Sequence, residues 1–118
     1  MHNDGSLYLT HMLETAQLAV EILSDKKKEE FDKDVTLRLA LAHLVQVVGE
    51  AARRVPVEVR EKFPQIPWRE IVGIRSIIIH DYITVDYEVV WEVVTQDLSP
   101  LIEKLKKILA ATDEGSRI

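Results

Sequence analysis

Apolar residues recur at helical spacing from the start of the chain. Leu7, Leu9, Met12, Leu13, Ala16, Leu18, Ala19, Ile22 and Leu23 predict a first helix from about Ser6 to Ser24, with Asp4 or Ser6 as its cap. The charged run Asp25–Glu30 reads as the frayed end of that helix or the turn after it, and carries no function. A second helix is predicted from about Asp34 to Arg54. Its centre, from Leu37 to Val48, is apolar nearly all round, which in a chain this short calls for burial on several sides. A second subunit packed across a two-fold axis would supply part of that cover. Gly49 inside the helix costs about 1 kcal/mol relative to Ala, a cost offset if another backbone approaches closely there. His43 and Gln46 are polar among these neighbours, and His43 reads as a packed or interface histidine.

Pro56 opens a short third helix ending near Phe63, and Pro64-Gln65-Ile66-Pro67 then breaks the chain. Pro67 suits the first position of a fourth helix, with Trp68, Ile71, Val72, Ile74, Ile77 and Ile78 as packing residues. Ile77-Ile78-Ile79 is a β-branched run, but with no partner strand elsewhere it reads as helix. Asp86 caps a fifth helix that turns Val89, Val90, Val93 and Val94 inward. Ser99-Pro100 then marks either a kink or a fresh start capped by Ser99, and the tail after Ala111 is expected to fray. The pattern is all-α: a single domain over residues 1–118 with a core of about 7–110.

Composition narrows the function. The 118 residues suffice for one modest core. There is no cysteine, which removes disulfides and thiolate metal sites and suits a cytoplasmic setting. Neither terminus reads as a signal peptide, and no apolar run approaches the ~20 residues that span a bilayer, so no membrane partner is expected. A net charge of −5 argues against diffuse binding to a nucleic-acid backbone. The distribution is uneven: Arg53, Arg54, Arg60, Lys62, Arg69 and Arg75 outnumber the acids between Glu50 and Arg75, whereas every charge from Asp81 to Asp97 is negative. A basic cleft beside an acidic shoulder fits this pattern, and so does a basic partner.

The segment Gly73-Ile74-Arg75-Ser76-Ile77-Ile78-Ile79-His80-Asp81-Tyr82 carries the chemistry. Arginine presents a fixed fork of donors to a phosphate, and histidine moves protons near neutral pH, so the pair suits phosphodiester chemistry without a metal. A helix cap and an ordinary salt bridge would use the same two residues. If the helix continued, Arg75 and Tyr82 would share a face and His80 would be rotated away, so one copy makes an imperfect constellation. Two copies across a dimer axis would line one cleft. There His80 could take the proton of a ribose 2′-hydroxyl, a second His80 could protonate the departing 5′ oxygen, and Arg75 could stabilise the phosphoryl oxygens. Such a reaction cuts RNA and spares DNA. Ser76 or Asp81 could orient a neighbour or bind water. The sequence has no zinc-protease motif, EF-hand loop, phosphate-binding Gly-rich loop or nucleophilic-serine elbow, so neither metal nor cofactor is expected. His2 and His11 read as surface residues.

From Leu7 to about Leu109 the chain resembles the HepT-like branch of the HEPN superfamily. The family mark, Arg-x4-His-x-Tyr, corresponds to Arg75, His80 and Tyr82, and Val48-Gly49-Glu50-Ala51-Ala52 and Phe63–Gly73 resemble the family's flanking segments. The resemblance implies an up-and-down four- to five-helix bundle forming a homodimer with paired motifs in the cleft. It also implies an RNase toxin of a type II toxin–antitoxin pair, restrained by a minimal nucleotidyltransferase that in some pairs transfers adenylate to the motif tyrosine. On that basis Arg75 and His80 are catalytic, Tyr82 is the modification target, and Glu50 faces the site, where a carboxylate is tolerable if it orients an arginine. The family often has Asn where this chain has Ser76, whose shorter side chain reaches less far. The reading from another class is a non-catalytic helical dimer that binds the nucleotidyltransferase or a nucleotide.

Overall fold

Burial of one face per helix organises the chain. The computed structural model describes residues 5–79 and 84–116, with side chains through Ala111. The helical segments among them are α1 (Ser6–Leu23), α2 (Lys28–Lys33), α3 (Val35–Arg54), α4 (Val57–Lys62), α5 (Trp68–Val72), α6 (Ile74–Ile78), α7 (Tyr87–Glu92) and α8 (Leu98–Ser116), with a π-helical turn at Val93–Asp97 joining the last two. The described residues contain no strand, only an isolated antiparallel bridge between Ile79 and Val85. The all-α expectation holds.

α3 is the central element. It packs on α1 and carries α5, α6 and α7 on its other sides, and Leu41, Val45, Val48 and Ala52 are buried in the contact. α1 runs antiparallel to it, because Tyr8 and Arg54 line one end of a shared groove while Thr15 and Val47 lie further along it. By length and composition α3 could cross a membrane; in this fold it is the core helix.

Local signals set several boundaries. Asp34 accepts a hydrogen bond from the backbone N–H of Leu37 at 3.0 Å, and Asp86 from that of Val89 at 3.2 Å, each satisfying an orphan donor of a helix start. Asp34→Ala should therefore cost about 1 kcal/mol without changing the fold, measurable as a lower urea midpoint at unchanged slope. No change in the midpoint would mean the cap contributes nothing.

Other boundaries differ from the sequence reading. α1 is preceded by Gly5 at φ 80°, pressed against Pro56 and Val59, and not by a side-chain cap from Ser6; Asp4 lies outside the described residues. The charged segment after α1 becomes a helix, α2, because Phe31 is fully buried and meets Trp91 at 5.3 Å between ring centres. Lys28 reaches Glu88 at 2.8 Å, tying α2 to α7, and the Glu30 carboxylate accepts from the Lys27 N–H. His43 is exposed and does not pack in the subunit's core.

The chain does not start afresh at Ser99-Pro100: the helix runs through it, with a π turn just ahead. Backbone angles remain right-handed helical from Glu92 through Leu98, and Ser99 caps nothing. Pro100 cannot donate to a carbonyl four residues earlier, and the π turn sits directly ahead of it, absorbing the register change. α8 runs on to Ser116, beyond the point where fraying was expected.

Candidate functional site

The predicted fourth helix is two short ones broken at Gly73, and that break sets the face on which Arg75 lies. Ile74 and Ile78 are buried one turn apart and fix α6, so Arg75, Ser76 and Ile77 are left on its outward side. α6 ends at Ile78. Ile79 is extended, with φ −109° and ψ 111°, and bridges Val85, while the Asp86 N–H donates to the Ile78 carbonyl at 2.6 Å. The sequence reading of Ile79 as helical is corrected by this bridge: a single backbone pairing needs no sheet. Helical register therefore cannot relate Arg75 to His80 or Tyr82.

His80, Asp81 and Tyr82 lie outside the described residues. The described chain on either side of residues 80–83 is pinned by the Ile79–Val85 bridge and stands directly on α6.

Gly49 brings α3 against this element. A Cβ at that position would lie 2.7 Å from Ile74 Cγ2 and 2.9 Å from the Ile71 carbonyl oxygen, so only glycine allows the observed approach. The expectation of a close backbone contact at Gly49 is met. Its neighbour Glu50 is thereby carried to the same cavity as Arg75 and Ser76, a space of about 100 Å³ also lined by Gln46 and Arg53. Three of the six predicted site residues thus converge on one cavity.

Two members were missed. Arg53 and Arg54 were counted only as charge, yet Glu50 holds both: Arg54 Nε donates to Glu50 Oε2 at 3.3 Å, and Arg53 approaches Glu50 Oε1 at 3.8 Å. The spacings of three and four residues on one helix were the available signal. Hydrogen bonds to Tyr8 and Glu50 push the Arg54 guanidinium above its ordinary pKa. Glu50 therefore orients arginines, the condition under which a carboxylate is tolerable beside a phosphate. No cluster of three or more His, Cys, Asp or Glu able to hold a metal ion occurs among the described residues.

An all-helical fold among the described residues, with Arg75 and Ser76 sharing a cavity with Glu50 and Arg53, is the class that fold and site define. The chain belongs to the Ribonuclease HepT-like family, which it matches over residues 12–108. It is 32% identical over 101 residues to the "Probable ribonuclease HepT" of Thermococcus cleftensis, covering 86% of this chain and 92% of that protein. A "Putative RNase" of Methanocaldococcus jannaschii is 37% identical over 106 residues, covering 90% of this chain and 96% of the relative. A longer protein of that organism, "Gamma-glutamylcyclotransferase and putative RNase", is 37% identical over 115 residues, covering 98% of this chain; the chain spans only 52% of that relative's length. No solved structure matches the chain.

Proposed function

We propose that this protein is a metal-independent endoribonuclease that cleaves RNA through attack of a 2′-hydroxyl on the adjacent phosphorus. The convergence of Arg75, Ser76, Arg53 and Glu50 on one cavity, with His80 following Arg75 closely in the sequence, carries the reading. His80 accepts the 2′-hydroxyl proton as the oxygen–phosphorus bond forms. The bond to the 5′ oxygen breaks, and that oxygen takes a proton from His80 of the partner subunit. Arg75 stabilises the charge gathered on the phosphoryl oxygens, and Ser76 offers a hydroxyl donor beside it. The products are a 2′,3′-cyclic phosphate and a 5′-hydroxyl.

The composite site needs a homodimer. Support for one comes from apolar side chains left in the open on the long helices: Leu18 on α1, and Val35 and Leu39 on α3, are 46%, 58% and 56% exposed. In the cell the enzyme acts in the cytoplasm as the toxin of a type II toxin–antitoxin pair. Its antitoxin is a minimal nucleotidyltransferase that silences it by adenylating Tyr82. What supports this part of the proposal is the resemblance noted above, carried by the Arg75, His80, Tyr82 motif.

The test is incubation of a mixed RNA pool in EDTA with purified, unmodified protein, reading the product ends. Cyclic phosphate ends that disappear in His80→Ala are expected. Absence of cleavage by well-folded protein would favour the binding module and direct attention to what occupies the cavity.

A further inference from the structure

Glu50 is shared by two cavities. Beyond the Arg75 cavity it also lines a larger space of about 430 Å³ in the groove between α1 and α3. That volume falls within the roughly 300–1,000 Å³ typical of small-molecule sites.

The composition of the groove suits one nucleotide. Arg54 stands on its wall, where its Nε donates to Glu50 Oε2 at 3.3 Å, so a cation is already oriented there. At the cavities' common edge Glu50 pairs with Arg53 and Arg54, and Arg75 lines the smaller cavity; among the described residues Glu50 is the one carboxylate lining either space, although the chain as a whole carries a net charge of −5. These guanidinium groups give a phosphate a cationic contact here. The Tyr8 and His11 rings meet edge to face, 6.0 Å apart at 89°, and form a corner against which a planar base can stack. Val47 and Ala51 give the groove apolar surface, and Thr15 adds a hydroxyl for the edge of a base.

We infer that the α1–α3 groove is a second nucleotide subsite, which holds the RNA residue next to the scissile phosphate, its base against Tyr8 and His11 and its phosphate on Arg54. This rests on the ribonuclease reading, because it places the strand across both cavities with Glu50 as the divider. Substrate selection would then be exercised in this groove and cleavage beside Arg75.

A trinucleotide with every 2′-oxygen methylated separates the two ideas, since it cannot be cleaved by 2′-hydroxyl attack. Titrated into ¹⁵N-labelled protein, it should shift the amide signals of Tyr8, His11 and Thr15, and it should bind about tenfold more tightly than 5′-AMP because the strand also reaches Arg75. Arg54→Gln and Leu7→Glu should each weaken binding about tenfold, the first by removing a charge-assisted contact and the second by placing a like charge at the rim. Leu7 is 59% exposed, so its replacement tests the groove without disturbing the core. Cleavage that depends on His80, together with no shifts in the groove and unaltered binding by both variants, would overturn the subsite and leave the ribonuclease. Shifts in the groove from a protein that cleaves no RNA would remove the ribonuclease and retain a nucleotide site. Equal affinity for 5′-AMP and the trinucleotide would overturn its placement on the RNA strand.

Discussion

Replacing His80 by alanine is expected to slow RNA cleavage by about 10²- to 10⁴-fold, the usual contribution of a positioned acid–base group. In the proposed reaction both proton transfers pass through this side chain, once from each subunit, so one substitution removes both the base and the acid. Arg75→Ala should cost about 10²- to 10³-fold, as loss of a donor to developing charge typically does. Arg75→Lys should recover only part of this, because an ammonium keeps the charge but not the planar fork. The arginine series is clean structurally: Arg75 is exposed and its neighbours Ile74 and Ile78 hold α6 in place. Initial rates in EDTA, with circular dichroism and sedimentation as controls, measure all three. A His80→Ala protein retaining more than a tenth of the parent rate would sink the proposed mechanism.

Gly49→Val should produce the largest loss of stability, about 3 kcal/mol, through overpacking of a contact that already excludes a single extra carbon. A Cβ would meet Ile74 Cγ2 at 2.7 Å, which a side-chain rotation could relieve, but also the Ile71 carbonyl at 2.9 Å, which belongs to the backbone and cannot swing away. Gly49→Ala gains about 1 kcal/mol of helix propensity and should still be destabilising, by less than the valine. Both substitutions push α5 and α6 from α3, and Arg75 rides on α6 while Glu50 and Arg53 ride on α3. A displacement of 1 Å between such groups can cost about 10²-fold in rate, so activity should fall further than the folded fraction. Thermal unfolding checks the first effect. An unchanged melting temperature for the valine variant would mean the two elements are not in contact as described.

The start of α3 and the α7 cap were legible because Asp34 and Asp86 precede apolar runs and bind the backbone three residues on. Gly49 was legible for a different reason: a glycine inside a strong helix needs a compensating contact, and the α5–α6 turn supplies it. α2 was not legible. Its six residues carry one large apolar side chain, Phe31, and only burial against Trp91 makes that side chain decisive. Ile79 was misread because periodicity counts apolar residues and cannot detect a backbone pairing with Val85.

For the site, the local order Arg75, Ser76, His80, Asp81, Tyr82 drew attention because an arginine, a histidine and a tyrosine stand together in an otherwise apolar segment. Glu50 came from resemblance. Arg53 and Arg54 emerged only from the fold, where one carboxylate holds both.

By itself the sequence determined the helical class, the main helix starts and the residues able to handle a phosphate and a proton, since periodicity, capping and side-chain chemistry are local properties. The tertiary structure decided which of them meet. The break at Gly73 turns Arg75 outward, and the missing Cβ at Gly49 lets α3 bring Glu50 and Arg53 to the same cavity, a convergence of residues over twenty positions apart that no local rule encodes.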